Sequence, residues 1–333
     1  MSTIRQGLKS VLVTGGAGYI GSHIVRLLQA YDYQLTVVDN LTTGNAWSVP
    51  ENALIVEDIF NTTALVDVMQ QQKVQAVIHL AAKSSVPESF VKHDEYFDSN
   101  VNGTISVVEA CAQSGVGQLI FSSTAAVYGN ATHGLVKESA PLCPISPYGE
   151  SKLAAEKVIA ERCCHYGIKQ VTLRFFNVIG AHPQGLLGQY NPSSSHLLQH
   201  CLDCVKKNTV LTIFGHDYDT SDGTAERDFI HVQDLASLHL YVLRYLEQGG
   251  ESLLLNAGYG YAYSVLEFVR QFQHIAGHVI TRMDGRRAGD PASLIADISK
   301  LTNILEEWVP EFNSLEQMIG SSWQWELSKR NLI

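Results

Sequence analysis

"SVLVTGGAGYIGSHIVRLLQAY", residues 10–31, decides the fold. An apolar strand runs into a glycine turn and then into an amphipathic helical pattern. Gly15, Gly18 and Gly21 stand at G-x-x-G-x-x-G spacing, and Gly16 adds an overlapping G-x-G-x-x-G. Such glycines let backbone N–H groups and a helix N-terminus approach a pyrophosphate. The next apolar run, "QLTVVDN" at 34–40, ends in Asp39, 18 residues beyond Gly21. A carboxylate there accepts hydrogen bonds from adenosine ribose hydroxyls and repels a 2′-phosphate, so the unit points to NAD rather than NADP. Taken alone, Asp39 also reads as a turn residue.

Further apolar runs follow with helical patterns between them: "ALIVED" ending at Asp58, "QAVIHLAAKSS" from Gln75, "GQLIFSSTAAVYG" from Gly117 and "QVTLRFFNVIG" from Gln170. Alternating strand and helix with nearly continuous apolar strands predicts an α/β, Rossmann-type doubly wound parallel sheet. A smaller mixed α/β substrate part is expected to follow it. The division predicted is 1–177 for the dinucleotide and 178–333 for substrate, with segments around 228–260 partly returning to the first part. In such sheets ligands lie beyond the strand C-termini, which here carry Asp58-Ile59, Leu80-Ala81-Ala82, Ser122-Ser123-Thr124 and Phe176-Asn177.

The 333 residues are 45% hydrophobic with a net charge of −10 and no Lys/Arg block, which gives no footprint for nucleic acid or anionic membrane. No apolar run approaches membrane-span length, and the first residues lack a signal peptide's apolar core, so a cytoplasmic protein is expected. Six cysteines read as reduced thiols. In "HLLQHCLDC" a helix would align His196, His200 and Cys204 beside Cys201, half of a zinc pattern. No matching second pair accompanies it, and no metal site is predicted.

"PYGESKLAAEKVIAERC", residues 147–163, reads as a helix with Tyr148 and Lys152 at i and i+4 on one face. An ammonium beside a phenol favours the phenolate and could make Tyr148 a base near neutral pH. The spacing also suits an ordinary aromatic beside a solvated lysine.

The glycine turn, the Ser-Ser-Thr strand end and Tyr148-x-x-x-Lys152, in that order, resemble the extended short-chain dehydrogenase/reductase family. "FSSTAAVYG", "RFFNVIGAHPQG", "DGTAERDFIHVQDLA" and "RRAGDPASLIAD" are similar to motifs of its UDP-glucose (UDP-galactose) 4-epimerase branch. The resemblance implies reversible inversion at C4 through a transient 4-ketose with tightly bound NAD. In that scheme Tyr148 removes the O4 proton while hydride passes from C4 to nicotinamide. Lys152 binds the nicotinamide ribose and depresses the Tyr148 pKa, and Thr124 hydrogen-bonds O4. For the cofactor the family pattern implies Gly15, Gly18, Tyr19, Ile20, Asp39 and Asn40, then Asp58, Ile59, Leu80, Ala81, Asn100 and Ser122, together with Tyr148 and Lys152. On the substrate side it implies Thr124, Tyr148, Phe176, Asn177 and Phe214, with Arg227 and Arg287 on the diphosphate, Asp290 on the uridine ribose and Leu294 beside the sugar. A homodimer through helices near 96–112 and 151–165 is implied as well.

The chain departs from the pattern in two places. Its lysine after "HLAA" is Lys83, whereas the resembled epimerases have it one residue later, at Ser84 here. The loop at 184–200 lacks the usual Asn-Asn-Leu. Among rival functions, a 4,6-dehydratase needs an acid and a base after the threonine, where this chain has Ala125-Ala126. A UDP-glucuronate 4-epimerase or decarboxylase would need a cation for the C6 carboxylate, and none stands out. A non-catalytic NAD-binding regulator would not require Thr124, Tyr148 and Lys152 together.

Overall fold

The computed structural model describes residues 9–130, 134–190, 196–287 and 290–329. Seven parallel strands form the main sheet, in the order Leu253–Ala257, Lys169–Phe175, Gln118–Thr124, Ala76–His79, Ser10–Thr14, Gln34–Asp39, Leu54–Val56. From the first strand the chain builds outward to Leu54–Val56, then crosses back to Ala76–His79 on the other flank. Beyond the C-termini of Ser10–Thr14 and Ala76–His79 the connecting segments diverge, and this switch point opens the ligand crevice.

Successive side chains of these strands face opposite ways, so the sheet buries two apolar layers. Val11, Val13, Ile78 and Ile120 join the helices Tyr19–Ala30 and Val232–Glu247 on one face. Leu12, Val77, Leu119 and Phe121 join the helices Thr62–Gln71, Gly103–Ser114 and Pro147–Tyr166 on the other. Beside the mouth lies a mixed sheet in the order Tyr263–Ser264, Glu226–Arg227, Ser293–Ala296, Leu135–Val136. Two smaller parallel pairs, Phe229–His231 with Asn177–Ile179 and Thr281–Asp284 with Leu211–Phe214, complete that side. Among the described residues no helix is long and apolar enough to cross a membrane, and the six cysteines are free thiols.

The sheet also buries histidines as neutral rings. His79 sits between the hydroxyls of Thr14 (2.7 Å) and Thr104 (3.0 Å), and burial with the nearby Lys152 brings its pKa down to about 3. His239 donates from Nδ1 to Leu235 O over 2.7 Å, and burial brings its pKa down to about 4. Its Nε2 has no partner among the described residues. An unfolded histidine takes up its proton near pH 6.5, so a folded value held lower contributes stability that is complete above about 6.5 and is lost as pH falls. Asp228, which burial raises to about 6, works in the opposite sense. A single-site comparison therefore isolates the effect: His239→Phe should shrink the loss of urea stability between pH 7.5 and pH 5 by on the order of 2 kcal/mol. Equal losses in wild type and variant would contradict it.

Candidate active site

The glycine turn is shaped by contacts that only glycine permits. Gly15 has φ +69°, and a Cβ built on it would lie 2.6 Å from the backbone nitrogen of Ala81. A Cβ on Gly21 would lie 2.4 Å from Gly15 O, so the helix Tyr19–Ala30 seats directly on the turn. Gly18 begins that helix with no side-chain cap, and Gly18, Tyr19 and Ile20 all line the cleft. An uncapped helix N-terminus on a side-chain-free turn is what a dinucleotide pyrophosphate needs, and the residues fit the group. The Tyr19 hydroxyl is committed across the crevice to Gly180 O at 2.6 Å.

Asp39 closes the far side of the turn. Its carboxylate accepts from Ala17 N at 3.0 Å and Leu41 N at 2.8 Å, and burial pushes its pKa up against those bonds. Both readings of Asp39 therefore apply: it shapes the turn and it borders the cleft. Asn40 donates to Asp58 at 2.9 Å, and Ile59, Leu80, Ala81 and Ser122 line the same 1920 Å³ cleft.

Opposite stands Tyr148. Ser146 caps its helix by accepting from Gly149 N at 3.2 Å, and Pro147 opens the first turn. The phenol shares the cleft with Thr124 from the end of the strand Gln118–Thr124, whose hydroxyl favours the phenolate. One turn along, Lys152 is buried with Nζ 4.4 Å from the centroid of Phe121. The expected depression of the Tyr148 pKa by Lys152 is not what the protein itself imposes. Burial governs both groups: it raises the phenol, with the Thr124 hydroxyl opposing, and it lowers Lys152 to about 7, with Glu156 opposing.

On the substrate side, Phe176 is buried and Asn177 donates to Asp228 O at 3.0 Å. Arg227 and Arg287 converge on Asp290. Arg287 makes a fork to that carboxylate (2.9 and 3.1 Å), and Arg227 lies 3.7 Å from it while donating to Pro291 O at 2.8 Å. Phe214 lies under the Arg287 guanidinium at 5.7 Å. Leu294 pairs in register with Arg227, packs with Tyr128, Phe176 and Ala125, and still borders the cleft. Residues 191–195 of the unusual loop and 288–289 beside Arg287 lie outside the described residues.

Three further groups singled out in the sequence are placed as follows. Asn100 is buried, with its amide on Lys83 N (2.8 Å), Lys83 O (3.0 Å) and Ser151 (2.9 Å), so it holds the loop that borders the cleft. Lys83 reaches the cleft but pairs with Glu95 at 3.0 Å, and Ser84 is exposed there. His196, His200 and Cys204 line the cleft on and before the helix Leu197–Lys207; among the described residues, no three His, Cys, Asp or Glu groups could hold a metal ion.

Two features escaped the sequence reading. Tyr96 stands edge-on to Tyr148 with centroids 6.4 Å apart, accepting from Ser85 N and donating to Glu88. Glu156 binds the buried Arg174 (2.7 and 2.9 Å) and also Ser123. An arginine inside the apolar run "VTLRFF" was the available signal, since a buried guanidinium demands a carboxylate.

Residues 11–258 match the model of the NAD dependent epimerase/dehydratase family. The chain is 41% identical to a UDP-glucose 4-epimerase of Azospirillum brasilense over 96% of its own length and 92% of the relative's. It superposes with TM-score 0.93 at 36% identity on a UDP-glucose-4-epimerase from Stenotrophomonas maltophila solved with NAD and formylated UDP-arabinopyranose, covering 98% of this chain and all of that one. A UDP-Glc/GlcNAc 4-epimerase from Campylobacter jejuni superposes with TM-score 0.84 at 38% identity, covering 96% and 99%. Glycine turn, Tyr148, Thr124 and Lys152 thus sit on a chain whose similarity is nearly full-length, and this chain belongs to the NAD dependent epimerase/dehydratase family.

Proposed function

We propose that the protein interconverts UDP-glucose and UDP-galactose by inverting C4 with tightly bound NAD. The observation that carries this is that Tyr148, with Thr124 beside it in the cleft and Lys152 one helical turn away, lines the same cleft as the uncapped helix N-terminus of the glycine turn. NAD, when bound, supplies an acceptor that takes a hydride from C4 and returns it. Tyr148 takes the O4 proton from the sugar hydroxyl and restores it to the epimer, and Thr124 provides the hydrogen bond through which O4 and the phenol are aligned. Lys152, which lines the same cleft, would hold the cofactor's ribose and, in its charged form, offset a phenolate. Arg227 and Arg287 suit the two phosphates of UDP, with Asp290 on the ribose and Phe214 beside the base. Asp39 supports NAD over NADP.

The division of labour we propose is 1–177, with segments around 228–260, for NAD and 178–333 for the UDP-sugar. The family resemblance supports a cytoplasmic homodimer through helices near 96–112 and 151–165. A dehydratase reading lacks support because Ala125 and Ala126, which follow Thr124, cannot transfer a proton. Turnover of UDP-glucuronate in preference to UDP-glucose would replace this reading with its uronate counterpart.

Tyr148→Phe removes the proton acceptor and little else. The variant should fold, retain NAD, and lose at least about 10²-fold in kcat. Turnover near the wild-type value would show that another group takes the proton.

Leu294 sets how large a sugar is admitted. Buried against Phe176 and bordering the cleft, it fills less space than a tyrosine would. UDP-GlcNAc and UDP-GalNAc should therefore interconvert measurably but more slowly than the unsubstituted pair, and Leu294→Tyr should suppress the acetamido activity selectively. An unchanged ratio of the two activities in Leu294→Tyr would place the gate elsewhere.

A further inference from the structure

The cofactor rim and the substrate rim of the cleft meet through a set of aromatic rings that no part of the catalytic scheme uses. Residues 42–45 border the cleft beside the glycine turn. The base of this loop is tied to the turn itself: Asn45 N donates to Ala17 O at 2.9 Å, and the Ser48 hydroxyl donates to the same oxygen at 3.0 Å. Its tip carries Trp47 away from the turn. That indole stacks on Trp325 (centroids 6.0 Å, planes 26° apart) and meets Tyr190 edge-on (5.4 Å, 80°).

The other side of the contact belongs to the substrate rim. Trp325 is buried on the helix Leu315–Ser328 and donates from Nε1 to Gln189 O at 3.0 Å. A Cβ on Gly188 would come within 2.4 Å of the Trp325 ring, so glycine lets this segment lie directly on the indole. Gln189 and Tyr190 line the cleft, and Lys329 places its ammonium 5.6 Å from the Tyr190 ring. Trp47 itself is 49% exposed, so it fills no core position and its loss opens no buried cavity.

We propose that Trp47, Tyr190 and Trp325 form a clasp that retains the dinucleotide. The inference rests on the NAD reading above. The two bonds to Ala17 O and the ring contact together hold residues 42–45 at the cleft, and the ring contact is the part of that hold that reaches the substrate rim. Trp47 is a positioning residue in this account and touches no reacting atom. A redox-neutral cycle gives the retention its purpose, since the cofactor that accepts the hydride must still be present to return it.

The test is the rate at which NAD leaves purified protein diluted into buffer with an NAD-consuming trap, read as dinucleotide remaining with the protein after rapid desalting. Trp47→Ala, which loses both ring contacts, should speed release by about tenfold or more, and Tyr190→Ala, which leaves the Trp325 stack, should speed it by less. Trp47→Phe should restore most of the retention. The double variant should release little faster than Trp47→Ala alone, because the Trp47–Tyr190 contact is already lost in that single variant. Activity of Trp47→Ala should fall on dilution and return on adding NAD. Release from folded Trp47→Ala at the wild-type rate, with wild type carrying NAD and epimerising, overturns the clasp alone. Wild-type protein that carries no dinucleotide overturns the NAD reading and the clasp with it.

Discussion

The site depends on one stripe of a helix. Tyr148, Lys152 and Glu156 recur every fourth residue along Pro147–Tyr166, so all three side chains point at the sheet. Glu156, the deepest, grips Arg174, which is 1% exposed and is the largest fully buried side chain among the described residues. Ser123 and the Tyr128 hydroxyl join the pair, and Tyr128 passes the contact to Asn256 at 2.6 Å. Three strands and the helix are thereby held at one register. Removing one member of a buried ion pair costs about 3–5 kcal/mol because the other charge is stranded. The helix therefore has no alternative seating in which Tyr148 would miss Thr124.

The same burial that fixes the geometry sets the electrostatics. A phenol raised and an ammonium lowered to about 7 are both pushed toward their neutral forms by a site that disfavours charge. Such a pair responds strongly to any charge brought beside it, since the surroundings screen little. A cation bound next to Tyr148 would draw the phenol pKa down. The sequence reading assigned that work to Lys152 alone. Spacing along a helix cannot register how deeply the helix is buried, and depth decides the sign here.

The cofactor half was legible because each of its signals is local. Glycine spacing, an apolar strand before it and a carboxylate at the next strand end are short-range patterns with a steric or electrostatic cause, and the observed Gly15 and Gly21 contacts supply that cause. Tyr148 and Thr124 were legible through their positions at a helix start and a strand end. The contacts of Asn100 with the Lys83 loop were not legible, because a buried amide reads the same in sequence whether it faces a ligand or a loop. The Trp47, Tyr190 and Trp325 rings come from three distant segments with no shared period, so nothing in the sequence joins them. Arg174 marked its own burial within an apolar run, but its partner Glu156 lies on a helix whose inward face is polar.

The central claim is that one enclosed site removes a hydrogen from C4 and gives the same hydrogen back. The most direct measurement is turnover of UDP-glucose carrying deuterium at C4, in ordinary water and with a large excess of free unlabelled NAD. The account predicts UDP-galactose with deuterium fully retained at C4 and none in the free dinucleotide. Loss of the label to solvent or to the free NAD pool would contradict it.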